Sequence, residues 1–137
     1  MQKKIISKNL IKHFEILKKD KNQIINQAIL LANLILDCFK NKGKLLIFGN
    51  GGSAADAQHF ATELTVRLKK NRVALPAIAL TTDTSAITAI GNDFSFNDIF
   101  KRQIEAIVGN KDLIIPITTS GNSKNIISAI KFSKKKN

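Results

Sequence analysis

At 137 residues, with 44% hydrophobic and 23% charged side chains, the chain has room for one domain with a buried core; these proportions exclude a disordered protein and a multidomain assembly. Its net charge of +12 gathers at the two ends, ten basic against three acidic groups over residues 1–44 and eight against two over 101–137. Nineteen of the 22 basic residues are lysine, and Ile, Lys and Asn together make 53 residues, so a codon bias toward A and T accounts for the charge; the basic ends read as solvated helix faces, and nucleic acid is not an expected partner.

Ile5, Ile6, Leu10, Ile11, Phe14 and Leu17 recur at helical spacing over residues 3–19. Asp20 reads as a cap before a second helix over about 22–41, with Ile24, Ile25, Ala28, Ile29, Ala32, Ile35 and Phe39 on or near its inner side. Cys38 lies in that helix as a small buried hydrophobe, and as the single cysteine it excludes an internal disulfide or a cysteine-based zinc cluster. The nearly apolar run 28–39 is too short to span a bilayer, and the polar, basic start has no signal-peptide core, so a cytoplasmic protein without a membrane partner is expected. Gly43 is suited to cap the helix at its C-terminus.

From residue 45 the period changes. Leu45–Phe48 is a continuous apolar run that stops at Gly49-Asn-Gly-Gly-Ser53, and a helix follows from Ala54 to about Leu68. The run Ala74–Leu80 contains Pro76, which makes its early part an edge rather than a central strand. Thr81–Ser85 opens another short helix, Asn92-Asp93 punctuates, and residues 97–108 are helical again. Leu113–Ile117 is a third strand, ending at Thr118-Thr-Ser-Gly-Asn-Ser123 before a helix over about 124–133. Continuous apolar strands alternating with helices predict an α/β fold with a parallel sheet covered on both faces. The division expected is a helical arm over 1–43 and an α/β domain over 44–137.

Two strand-to-helix loops share one chemical character. Gly49–Ser53 and Thr118–Ser123 combine small, flexible backbone with hydroxyls and amides, and each leads into a helix N-terminus where free N–H groups favour an anion. Neither has the lysine of a P-loop or the full glycine spacing of a dinucleotide fingerprint, so a phosphorylated small molecule is the better expectation than a nucleotide. His59 and Glu63, four apart in the helix after the glycine loop, project from one face. An imidazole and a carboxylate at that spacing can share a zinc ion or form an ordinary ion pair. Arg67 extends the same face toward a phosphate or is an ordinary surface arginine.

The run Gly49-Asn-Gly-Gly-Ser-Ala-Ala-Asp-Ala-Gln-His-Phe-Ala-Thr-Glu-Leu64 resembles the signature of the phosphoheptose isomerase family, within the sugar isomerase (SIS) domain superfamily. Thr81–Ser85, Gly91-Asn-Asp-Phe94 and Thr118–Ser123 fall in that family's order and spacing, so the resemblance runs from the first helices to the last residue. It implies a flavodoxin-like SIS fold preceded by a helical arm used in homotetramer assembly. It also implies conversion of sedoheptulose 7-phosphate to D-glycero-D-manno-heptose 7-phosphate through a zinc-assisted enediol, the first step toward the ADP-heptose of lipopolysaccharide. By the same resemblance His59 and Glu63 match zinc ligands, and Glu63 also matches the catalytic base. Asn50, Gly51, Gly52, Ser53, Glu63, Asn92, Asp93, Thr118, Thr119, Ser120 and Ser123 match substrate positions, while Asp56 reads as structural.

Three departures stand out. The family's Thr-Gly-Arg is Thr65-Val-Arg67 here, which adds bulk beside the site, and Thr118 replaces a common serine while keeping the hydroxyl. In the family a Gln and a His on a C-terminal helix complete the zinc shell, and this sequence reaches Asn137 before them; the expectation is a domain ending after its third strand–helix unit with two of the four ligands. The alternatives are an inactive truncated product and a non-catalytic SIS-domain binder, including the paralogue that associates with the replication initiator. That paralogue keeps a similar glycine loop and histidine but lacks the glutamate, so Glu63 favours the enzyme.

Overall fold

The computed structural model describes residues 2–136, which fall into two compact units, residues 2–34 and 35–136. The first unit holds helix α1 (Gln2–Lys19) and most of α2 (Lys21–Lys40). Asp20 lies between the two helices, as its sequence context predicts. The amide of Asp20 donates to Ile16 O at 3.0 Å and that of Ile24 donates to Asp20 O at 2.9 Å, so helical hydrogen bonds run up to and on from the junction. No residue of α1 is buried. Of the α2 residues expected on an inner side, Ile35 and Phe39 pack against the core of the second unit, whereas Ile24, Ile25 and Ile29 are exposed. The period is helical as read, but periodicity cannot tell which element covers a face.

The second unit is a three-layer α/β fold. Its strands β1 (Leu45–Gly49), β2 (Ala77–Ala79) and β3 (Leu113–Ile117) form an open parallel sheet in the order β2-β1-β3. Helices α3 (Gly52–Thr65), α4 (Thr84–Asp93), α5 (Ile99–Ile107) and α6 (Lys124–Lys136) complete it, with a 3₁₀ turn over Phe96–Asp98 before α5. The strand β1 is buried along its whole length because both faces are covered, which is why its sequence is apolar without alternation. Leu45 and Ile47 face a cluster made with Cys38, Ala57, Ala61 and Ile115, while Leu46 and Phe48 face Phe100, Ile104, Ile126 and Ala129. Phe48 and Phe100 stack with centroids 4.9 Å apart. Alanines on α3 let that helix lie close to the sheet.

Both prolines fall at the sheet's edges. Pro76 precedes β2 and gives only its carbonyl, to Leu45 N at 2.9 Å. Leu113 N donates to Lys44 O at 3.1 Å, so by alternation the nitrogen of Pro116 points away from β1, where no ladder bond is lost. The turn after α2 differs from expectation in one detail. Gly43 N bonds Cys38 O and Lys42 N bonds Phe39 O, a Schellman arrangement in which Lys42, at φ 62, takes the left-handed position. Gly43 is required for another reason: a Cβ there would stand 1.9 Å from the carbonyl oxygen of Lys111. Among the described residues, no helix is long and apolar enough to cross a membrane.

Candidate active site

The glycine loop and the hydroxyl loop leave the sheet from paired residues. Gly49 lies opposite Ile117 in the β1–β3 register, so both loops open side by side at the carboxyl edge, where ligands bind in open α/β sheets. Gly49 lacks a side chain for want of space, since a Cβ would fall 2.7 Å from Ile117 O and from Ser53. Gly51 adopts φ 55 and starts α3, the amides of Ser53 and Ala54 donating to Asn50 O and Gly51 O at 3.0 Å. Around Gly51 and Gly52 there is open space, with nothing within 4 Å of an added Cβ, and both are exposed. Ser53 is turned inward against Gly49 and is half-buried.

In the second loop Thr118, Thr119 and Ser120 are exposed and Ser123 is half-buried. The loop is shaped by its own side chains: Gly121 N donates to Thr118 Oγ1 and Asn122 N to Ser120 Oγ, both at 3.2 Å, and Gly121 sits at φ 68. Neither α3 nor α6 has an acidic residue in its first turn, so the positive ends of both helix dipoles stay uncompensated at the same edge. That combination suits a phosphate.

His59 and Glu63 stand one turn apart on α3, His59 Nε2 3.6 Å from Glu63 Oε1, with the imidazole 78% exposed and the carboxylate 29% exposed. The end of α3 is held by Arg72, a residue that sequence reading passed over. Its guanidinium donates to Glu63 O and Leu64 O, each at 2.7 Å, satisfying carbonyls that the helix leaves open. Arg67 does not extend the face of His59 and Glu63, because α3 ends at Thr65; its guanidinium pairs with Asn71. Val66 is the C-cap of α3 at φ −95, with its side chain exposed. Asp56 is exposed.

Asn92 and Asp93 belong to α4. They close the last turn of α4, exposed, with Asn92 Nδ2 donating to Asp93 Oδ1 at 2.9 Å. The N-terminus of α4 is the end near the loops, as Gln58 Nε2 donates to Thr81 O at 3.3 Å and Thr81 Oγ1 to Ala54 O at 3.4 Å. At 1.5 Å per residue, Asp93 is about 14 Å further along the helix. A second residue missed in the sequence is Asn125, which joins the two loops through Asn50, bonded in both directions at 3.0 and 2.8 Å.

The sequence profile of the SIS domain matches residues 7–137. A phosphoheptose isomerase of Campylobacter concisus is 52% identical over 135 residues, covering 98% of this chain and 71% of its own length; one from Helicobacter pylori is 48% identical over 130 residues, covering 95% and 68%. The chain belongs to the phosphoheptose isomerase family. The solved structure of a phosphoheptose isomerase from Neisseria gonorrhoeae superposes with a TM-score of 0.88 at 40% identity, covering 98% of this chain and 70% of that one. One from Francisella tularensis gives 0.79 at 39% identity, covering 93% and 69%. The chain therefore spans about seven-tenths of these family members.

Within this family fold, His59 and Glu63 fit zinc by donor type. Two ligands at roughly 2.0–2.1 Å from a tetrahedral ion stand about 3.4 Å apart, close to the separation of the Nε2 and Oε1 atoms. They fit in kind but not in number: among the described residues, no group of three or more His, Cys, Asp or Glu could hold a metal ion. Cys38 is no candidate. It is buried in the core under the sheet, and burial pushes its thiol pKa up.

Proposed function

We propose that the site carries the aldose–ketose isomerisation of a phosphorylated heptose, sedoheptulose 7-phosphate to D-glycero-D-manno-heptose 7-phosphate. The observation that carries this reading is the juxtaposition of two uncompensated helix N-termini with a half-buried carboxylate on one of those helices. The hydroxyls of Thr118, Thr119, Ser120 and Ser123 and the first amides of α6 hold the phosphate, and the bare backbone of Gly51 and Gly52 lets the sugar lie close to α3.

In the reaction, a Glu63 oxygen takes the proton from the carbon beside the carbonyl. The C–H electron pair becomes the C=C bond of an enediol as the carbonyl π pair moves onto its oxygen. A proton passes from the neighbouring hydroxyl to that oxygen, directly or through water, and Glu63 returns its own proton to the former carbonyl carbon as the new carbonyl forms, so no oxidant or reductant is needed. His59 and Glu63 would hold a zinc ion from one side, with the remaining donors coming from outside the described residues. When bound, zinc supplies a Lewis acid for the oxyanion. Asn92 and Asp93 are assigned to the substrate by resemblance. The exposed apolar residues of α1 support an assembly surface between copies of a cytoplasmic homotetramer.

The test is deuterium wash-in. Incubated with sedoheptulose 7-phosphate in heavy water, the wild-type chain incorporates solvent deuterium beside the carbonyl, and Glu63→Gln cuts that rate by about 10²-fold or more while binding persists. Equal incorporation by the variant would remove Glu63 as the base. Absence of sugar-phosphate binding by the wild type would remove the whole reading.

A further inference from the structure

We infer that Asn125 is a positioning residue, which through Asn50 fixes the glycine loop and the hydroxyl loop at one spacing. The proposal rests on the reading of those loops as the two halves of a sugar-phosphate site.

Asn125 is the second residue of α6 and only 2% exposed, the one polar side chain among the buried residues of the chain described. Its Nδ2 donates to Asn50 Oδ1 at 2.8 Å, and its Oδ1 accepts from Asn50 Nδ2 at 3.0 Å. The same Oδ1 accepts the backbone N–H of Ile126 at 2.9 Å. A backbone N–H needs an oxygen there, so this third bond fixes which way the Asn125 amide points and with it the amide of Asn50. The two residues are 75 apart in sequence.

The sheet alone does not hold the loops together at their far ends. The register fixes Gly49 against Ile117, but six residues separate Ile117 from α6, among them Gly121. The side-chain bonds recorded within that segment, Thr118 to Gly121 and Ser120 to Asn122, are internal to it. The amide pair instead runs from the start of α6 to the residue before Gly51. The Asn125 amide is buried and has no water to turn to, so its Nδ2 is satisfied only while Asn50 is in place. A phosphate on one loop and a sugar on the other then meet donors whose separation is set before binding, and positioning of that kind acts on affinity without touching the ligand.

The experiment compares wild type, Asn50→Ala, Asn125→Ala and the double variant. Two quantities are read: hydrogen–deuterium exchange of the loop peptides, and affinity for sedoheptulose 7-phosphate by calorimetry. Asn50→Ala leaves the bond from Ile126 to Asn125 intact and is the variant that decides should Asn125→Ala not fold. In Asn50→Ala, exchange over residues 118–124 rises about threefold or more, although that segment lies some seventy residues away in the chain. Each single variant binds about tenfold more weakly, and the double variant binds no more weakly than the worse single one, because one device has been removed twice.

Multiplying losses would show two independent contacts and overturn the clamp. So would unchanged affinity in a folded Asn50→Ala, or unchanged exchange across the loops. A wild type that binds no sedoheptulose 7-phosphate sinks the functional reading instead; exchange alone then decides the clamp, raised exchange sustaining it and unchanged exchange overturning it.

Discussion

Gly51 and Gly52 are adjacent glycines with different reasons to be glycine. At Gly51 the backbone is left-handed, φ 55, and a side chain there is strained whatever the space. Gly52 has no such constraint, and an added Cβ would meet nothing within 4 Å, so the fold alone does not call for glycine at the first position of α3. On the proposed function, a methyl group there would occupy the space through which the sugar would reach the helix amides. Gly52→Ala is therefore expected to leave the melting temperature unchanged or to stabilise the chain by up to about 1 kcal/mol, since alanine loses less freedom on folding. Its affinity for sedoheptulose 7-phosphate should fall about tenfold or more. Thermal melts and calorimetric titration read the two effects separately; an alanine variant that binds as well as wild type would mean that the ligand does not approach this loop.

Between elements, the decisive tie on the side of the sheet away from the site is Asp112. Its carboxylate is 6% exposed and accepts from Lys44 N at 2.9 Å, Gly109 N at 2.8 Å and Lys44 Nζ at 2.5 Å, so one side chain joins the turn before β1 to the turn before β3. Burial pushes the Asp112 pKa up, but the Lys44 ammonium and the donated bonds outweigh it and hold the carboxyl below its ordinary value. The folded state thus prefers the ionised form. That contribution is fully present above the unfolded carboxyl pKa of about 3.9 and is lost as pH falls through the lower folded value. Asp112→Ala should cost about 2–3 kcal/mol at neutral pH, leaving two amides and an ammonium without their acceptor. Asp112→Asn should flatten the acid limb below pH about 4, seen as a smaller loss in urea midpoint than wild type shows. A variant with the same acid limb would remove Asp112 from the account.

The same scale shows where sequence stops being informative. The strand β1 is legible because a strand covered on both faces must be apolar throughout, and Pro76 marks an edge because it lacks an N–H. The glycine loop, the hydroxyl loop and the His59–Glu63 pair are legible because their chemistry is local. Asn125 is not: an asparagine in the first turn of a helix reads as an ordinary capping group, and its partner is 75 residues distant. Asp20 is legible for a local reason too, since its side chain suits the start of a helix and α2 begins at the next residue.

For the molecule as a whole, the first unit poses the largest physical question. None of α1 is buried, Ile6, Leu10 and Phe14 are 67%, 53% and 60% exposed, and the apolar surface continues on α2 through Leu34 at 46%. Helices in water owe most of their stability to an apolar face that packs, and contiguous apolar patches beyond a few hundred Å² mark interaction surfaces. The repeat of apolar residues every three or four positions matches what a second helix of the same kind would cover. The proposed cover is another copy of the chain. Sedimentation should then give a mass well above the 15.1 kDa of one chain, and Leu10→Glu with Phe14→Glu, one turn apart on α1, should shift it to that value. The core built around Leu46, Phe48 and Ile126 includes no residue of α1, so the methyl spectrum of that core should persist in the dissociated variant. A wild type that sediments as a single chain at tens of micromolar would exclude self-association as the cover, whereas loss of the core spectrum on dissociation would show that the second unit depends on assembly for its fold.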